Sequence, residues 1–267
     1  MRSREINPCE PLRPYVRLIW LFEADEPAAF GPPERVAPDG LLEIVFHYRT
    51  PMACRYDGEE FQTQRRSVAV SQTRRFLEFR PEGAIGLVSV RFQPWGACHF
   101  FRLPLSDLAD RQAPIEALWG QAALDLEERL AEASDDRARV AQVEQFLLAQ
   151  LQFHQKPDVE PLVRAIWNHG GRLPVPQLCR DLGVGERWLQ RTFVAALGTT
   201  PKGFSRLARF LRACALLRRE PGREQTEVGL DCGYYDQSHF IAEFKAFSGL
   251  TPREFVRAER VSFLDLD

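Results

Sequence analysis

The sequence predicts an α+β chain of two domains: an N-terminal small antiparallel β barrel with connecting helices, and a C-terminal all-α domain of two helix-turn-helix units joined by a long helix. Three observations predict it. Roughly the first hundred residues alternate apolar and polar positions between turn motifs, the following stretch switches to helical periodicity, and the last hundred repeat themselves at an offset of 51 residues. A length of 267 residues accommodates two domains, and 45% hydrophobic content is that of a globular protein. The expected boundaries are 1–105 for the β domain, 106–155 for the helical connector and 156–262 for the double helix-turn-helix domain.

In the first region "VRLIWLF" (16–22) and "LEIVFHY" (42–48) place apolar residues at alternate positions, and "AIGLVSVRF" (84–92) reads as a strand buried on much of both faces. Turn chemistry separates such strands: "PDG" at 38–40, "DG" at 57–58, "PEG" at 81–83 and "PWG" at 94–96. Beyond about Phe101 the composition turns to Ala, Leu, Glu, Gln and Arg. Two connecting helices are expected there. The second carries Val140, Val143, Leu147 and Leu151 at helical spacing behind Asp135 or Asp136 as its cap. This stripe would serve either as a dimer seam or as a face packed on its own β domain. Two prolines in "HQKPDVEP" (154–161) break the helical pattern, and the domain boundary is placed there.

The repeat sets Leu189, Phe193, Gly198, Thr200, Pro201 and Phe204 against Phe240, Phe244, Gly249, Thr251, Pro252 and Phe255. Upstream, Gly183 falls on Gly233 at an offset of 50, so the second copy has one extra turn residue. Each copy reads as helix, glycine turn, second helix. Gly183 and Gly233 supply the left-handed residue after the first helix, and Asp236 caps the second helix of the second copy, where Gly185 is a poorer cap. Thr200-Pro201 and Thr251-Pro252 start a further helix each, with a capping hydroxyl before a proline at the first helical position. Between the copies, "PKGFSRLARFLRACALLRR" puts Phe204, Leu207, Leu211 and Ala215 on one stripe of a single helix. At about 1.5 Å per residue this helix is roughly 27 Å long, close to the ~34 Å that separates successive major-groove faces on one side of DNA.

Charge is distributed in keeping with that reading. The whole chain carries a net charge of −2, but residues 157–260 contain 16 Lys and Arg against 12 Asp and Glu, leaving 19 against 25 elsewhere. Arginine outnumbers lysine throughout, first of all a compositional habit. No apolar run reaches the length of a membrane span, and the N-terminal "MRSREINPCEPLRP" lacks the apolar core of a signal peptide, so a cytoplasmic protein is expected. The six cysteines, at 9, 54, 98, 179, 214 and 232, form no CxxC pair and suit buried thiols. Phosphate-binding loop, dinucleotide fingerprint and nucleophile elbow are all lacking.

"LCRDLGVGERWLQRTFVAALGTTPKGF" and, more specifically, "VGLDCGYYDQSHFIAEFKAFSGLTPREF" resemble the bipartite helix-turn-helix domain of AraC/XylS-type transcriptional regulators, over about residues 158–260. The first region resembles the cupin-like, effector-sensing β domains that such regulators carry. The resemblance implies a sequence-specific regulator bound to double-stranded promoter DNA, with RNA polymerase as a partner and a homodimer as one possible state. It further implies a bacterial cytoplasmic protein, nucleoid-associated when bound, with no membrane partner and no cofactor.

Within this frame the first recognition helix offers Arg187, Gln190 and Arg191 on the face opposite Leu189 and Phe193; these side chains match guanine O6/N7 and adenine N6/N7. Trp188 beside them is either packing or a phosphate-side contact. In the second recognition helix Phe240, Phe244 and Phe247 have core spacing, while Gln237, Ser238 and His239 begin the helix. Ile241 and Ala242 stand where the first copy has Gln190 and Arg191, so this helix is expected to anchor phosphates more than read bases. Arg206, Arg209 and Lys245 are candidate backbone contacts, joined by Arg212, Arg218 and Arg219. In the β domain, Glu43, His47, Arg65, Gln72 and Arg91 are candidates for a small-molecule effector pocket. His47 and His99 lack the clustering of a metal site, so neither a metal nor a catalytic residue is expected. Two further readings remain: a ligand-free β domain used for dimerisation or polymerase contact, and a metal-dependent cupin-like enzyme fused to the DNA-binding domain.

Overall fold

Strand formation begins earlier than the alternation indicates. In the computed structural model, which describes residues 1–26, 31–71, 74–151, 158–258 and 261–262, the polar N-terminal segment is already an edge strand, β1 (Arg2–Ile6), hydrogen-bonded to β2 (Val16–Ala24). Then follow β3 (Glu34–Val36), β4 (Glu43–His47), β5 (Ala53–Tyr56), β6 (Gln62–Thr63), β7 (Ser67–Val70), β8 (Leu77–Arg80), β9 (Ile85–Phe92) and β10 (Gln112–Pro114). One sheet runs β1-β2-β9-β4-β7-β10; the other runs β3-β8-β5-β6, with the backbone of β11 (Val261–Ser262) added in parallel to β3. No ladder joins the two sheets among the described residues.

The side-chain period of two divides the larger sheet cleanly. Ile44, Phe46, Ala69, Val88, Val90 and Phe92 face the main core, while Glu43, Val45, Val70 and Arg91 face the second sheet with Leu77 and Phe79. All eight residues of β9 are buried, as a central strand covered on both faces must be. Because β10 pairs with β7, the β domain extends to Pro114, beyond the expected boundary at 105.

The connector is α1 (Glu116–Trp119), α2 (Gln121–Glu132) and α3 (Asp136–Gln150), the first two parted at Gly120. Asp135 is the cap of α3, accepting from the amide of Ala138 at 2.8 Å. Val140, Val143, Leu147 and Leu151 are buried in the main core, so the stripe packs on its own chain rather than offering a dimer seam. Residues 154–157 of the expected break at 154–161 lie outside the described residues.

The C-terminal domain comprises α4 (Glu160–Asn168), α5 (Val175–Leu182), α6 (Glu186–Leu197), α7 (Pro201–Arg219), α8 (Gln225–Asp231), α9 (Gln237–Ser248) and α10 (Pro252–Arg257). The expected punctuation is present: Gly183 (φ +65°) and Gly233 (φ +82°) are left-handed. Thr200 accepts from Gly203 N at 3.0 Å, and Thr251 forms a reciprocal capping box with Glu254. The first unit shares the main core with the β domain, whereas α7 to α10 form a second core around Phe210, Phe240, Phe244, Phe247 and Phe255. The expected stripe of α7 holds for Phe204, Leu207 and Leu211 but not for Ala215, which is exposed; Cys214 and Leu217 continue the buried face.

Candidate nucleic-acid interface

The two second helices of the repeat, α6 and α9, are anchored from behind by aromatic and aliphatic side chains and open at the front. Leu189 and Phe193 have no exposed surface, nor do Phe240 and Phe244 at the repeat-equivalent positions. Burying a phenylalanine contributes about 1.5–3 kcal/mol, so each anchor fixes its helix firmly. On the opposite face of α6, Arg187, Gln190 and Arg191 are exposed and have no hydrogen-bond or ion-pair partner among the described residues. Trp188 beside them is 39% exposed, which removes it from the core. These four side chains form a contiguous polar and aromatic surface at the start and middle of α6.

The corresponding surface of α9 is poorer in charge. Gln237, Ser238, His239 and Ala242 are exposed. The Asp236 carboxylate already accepts from the His239 amide at 2.8 Å, so its negative charge offsets the attraction of this helix start for phosphate. His239 is partly engaged: its ring packs edge-on to Tyr234, and its Nε2 lies 3.7 Å from Glu243.

Glu243 explains what two of the arginines do. It is buried on α9 at the position of Thr192 in the first copy, and its two oxygens meet Arg206 Nε at 2.7 Å and Arg209 Nη2 at 3.4 Å. Arg209 also donates to the Gly171 carbonyl at 3.2 Å. Arg206 and Arg209, expected as DNA-backbone contacts, thus tie α7 to α9 and to the turn after α4; a buried carboxylate without such partners would carry a large desolvation penalty. Lys245 is exposed and keeps its candidate role.

In the β domain the candidate pocket residues separate. Glu43 and Arg91 line one cavity of about 60 Å³ between the two sheets, joined by Asp39, Leu41, Val45, Val70, Leu77 and Phe79. Asp39 accepts from Arg91 through one oxygen and from the Leu41 amide at 2.9 Å through the other; Ser89 donates to Glu43. Burial pushes the Asp39 and Glu43 carboxyls upward, and the Arg91 guanidinium opposes this for both. Asp39 belongs to the "PDG" turn and has no alternation to show which way it points. Its membership of the cavity was therefore not readable from the strand pattern.

Arg65 is exposed and does not join this cavity. His47 shares the face of Glu43 and Val45 but is buried with Nδ1 3.1 Å from the Arg66 carbonyl, outside the cavity lining. Burial lowers its pKa to about 4. Gln72 lies outside the described residues. Among the described residues no cluster of three or more His, Cys, Asp or Glu is arranged to hold a metal ion, and no helix is long and apolar enough to cross a membrane. All six cysteines are free thiols, and burial raises Cys232 to about 11 and Cys214 well above the usual range.

Comparison with known proteins gives separate matches in the two parts of the chain. A model of a helix-turn-helix domain matches residues 178–258, and a model of a domain of unknown function (DUF6597) matches residues 4–114. The probable thc operon regulatory protein of Rhodococcus erythropolis is 37% identical over 87 residues, which is 32% of this chain and 26% of that protein. The HTH-type transcriptional regulator ArgR of Pseudomonas aeruginosa is 29% identical over 82 residues, 31% of this chain and 25% of that protein. The matched segment spans about a quarter of the length of each of these relatives. Among solved structures, unsaturated fatty acid-bound ToxT from Vibrio cholerae overlaps 96% of this chain and 97% of its own, at 11% identity and a TM-score of 0.46. The C-terminal domain of AraT, a response regulator from Geobacillus stearothermophilus, overlaps 41% of this chain and 92% of its own, at 23% identity and a TM-score of 0.37. Overlaps this loose carry none of those proteins' chemistry to this chain.

Proposed function

We propose that this chain, whose C-terminal domain is a helix-turn-helix module of the AraC/XylS type, is a sequence-specific DNA-binding transcription regulator controlled by a small molecule in its β domain. The observation that carries the DNA-binding half is the duplicated unit with unengaged Arg187, Gln190 and Arg191 across the open face of α6, mounted on an apolar back. Arginine and glutamine at this spacing can form paired hydrogen bonds with guanine and adenine edges, which is how sequence is read in the major groove. α9 carries only Gln237, Ser238 and His239 as polar groups at its start, and Ala242 further on, so its part is phosphate anchoring with few base contacts.

The two surfaces are held by α7, 19 residues and hence roughly 28 Å long, which suits adjacent major-groove segments of one asymmetric site. Substitution tests the division of labour. Arg191→Ala should weaken binding to a defined site by about 1–3 kcal/mol and relax base preference at one position. Unchanged affinity and preference would remove α6 from the reading role.

The effector half is supported by the cavity holding Glu43, Asp39 and Arg91, since a polar cluster inside a β domain is a natural place for a small ligand. A thermal-shift panel of small metabolites tests it: a selective ligand raises the melting temperature of the wild-type chain by linkage and loses that effect in Glu43→Gln. A panel with no stabilising compound would favour a β domain that works without a ligand. RNA polymerase as a partner and a homodimer belong to the same proposal and are read from pull-down and sedimentation of the full chain.

A further inference from the structure

The segment 37–42 has two faces, and they look into different domains. On one side Ala37, Pro38, Asp39 and Leu41 wall the cavity that contains Glu43 and Arg91. On the other, Ala37 belongs to the core of α7 to α10, and Gly40 sits so close to α7 that a Cβ there would lie 2.8 Å from Leu207 Cδ2 and 3.5 Å from Phe204 Cε2. Gly40 also has a φ of +82°, so neither the conformation nor the space admits another residue without a shift. Asp39, between these contacts, is fixed at both carboxylate oxygens, by Arg91 and by the Leu41 amide. Arg17 of β2 also acts on it electrostatically, and Glu43 stands across the cavity.

From this arrangement we infer that residues 37–42 are the coupling element between the β-domain cavity and the DNA-reading domain, with the Asp39–Arg91 pair as its latch. The inference rests on the reading of the chain as a DNA-binding regulator and adds its route of control. A small polar group entering the cavity must share Arg91 with Asp39, and any change in the seating of Asp39 is passed through Gly40 and Ala37 to Leu207 and Phe204. These two residues lie on the helix against which α6, α8, α9 and α10 all pack, so the change reaches the relative placement of the reading helices. The cavity, at about 60 Å³, has room for a group of a few heavy atoms, which suits a trigger that acts by competing for one ion pair rather than by filling a large pocket.

The test compares two arginine-paired carboxylates in the full chain. Asp39→Asn breaks the latch. Asp136→Asn is the control, removing a carboxylate of similar burial at the start of α3, among Arg2, Arg4 and Arg139. Hydrogen exchange of the α7 amides, measured without DNA, should rise about five-fold around residues 204–211 in Asp39→Asn, and the Kd for a selected DNA site should shift by about five-fold or more. In Asp136→Asn both readings should stay within about two-fold of wild type. Equal effects in the two variants, or no change at α7 in Asp39→Asn, would overturn the coupling.

Should Asp39→Asn not fold, Leu207→Val trims the same contact from the α7 side. It is then expected to raise exchange at residues 37–42, and unchanged exchange there overturns the proposal equally. If the wild-type chain enriches no sequence from a random library, the DNA-binding reading falls instead, while the exchange measurement still decides the coupling.

Discussion

Arginine side chains of one chemistry stand in two settings in this domain, and what separates them is the carboxylate within reach. Arg187 and Arg191 have none, whereas Arg206 and Arg209 share the buried Glu243. In Arg209→Ala, Glu243 loses one of its partners, and stability should fall by about 1–3 kcal/mol in urea unfolding. Were its main employment a phosphate contact, stability would hold and the salt dependence of DNA binding would weaken by about one ion instead. The sequence could not separate these roles, because Glu243 is four residues beyond His239 on a helix whose partners lie more than thirty residues upstream.

His47 makes a second prediction at this scale. Its folded pKa of about 4 lies below the ordinary 6.5, because burial disfavours the imidazolium. A lowered histidine pKa means that its stabilising contribution is complete above pH 6.5 and is lost as pH falls toward 4. The shift corresponds to about 3 kcal/mol between the ends of that window. Urea midpoints measured from pH 7 to pH 4 should therefore fall less steeply in His47→Gln than in the wild type, and parallel curves would contradict the assignment.

Among the elements, those whose ends are fixed by local chemistry were the legible ones. Asp236, Thr200, Thr251, Gly183 and Gly233 all act as their neighbours in sequence indicate, because a cap needs only residues three or four positions away. Loss of one such cap, in Thr251→Ala, should cost about 1 kcal/mol, read from a thermal or urea melt. Elements fixed by distant partners were not legible. β1 is a polar segment made a strand by the ladder of β2, and α4 starts at Glu160 with Pro161 in its first turn, inside the expected break. The β-domain site was half visible for the same reason: alternation placed Glu43 and Arg91 as polar residues in strands, but the shared face depends on the register that pairs them across β4 and β9.

At the scale of the whole molecule, the repeat predicts two similar reading units on a common helix, and the structure adds that the β domain touches both. The first unit meets it where Gly198, at the end of α6, lies against the Leu105 carbonyl; the second where Gly249, at the end of α9, lies against the ring of Phe76. These glycines occupy equivalent repeat positions, so the residue that ends each second helix is also the place where the β domain approaches each unit. Their spacing in sequence could not reveal this second use, since both contacts come from the other domain. Gly249→Ala, which sets a Cβ against Phe76 at a φ of +71°, should destabilise the chain and disturb DNA binding more than an alanine at the exposed Gly222.

The central claim is that two unequal reading helices on one rigid connector recognise one asymmetric DNA site. Selection of bound duplexes from a random library with the full chain tests it most directly. The account predicts two blocks about one helical turn apart, one sharply specified and losing definition in Arg191→Ala, the other loosely specified and little altered in Gln237→Ala. A library without enrichment, or a sharper block that responds to Gln237→Ala and not to Arg191→Ala, would contradict it.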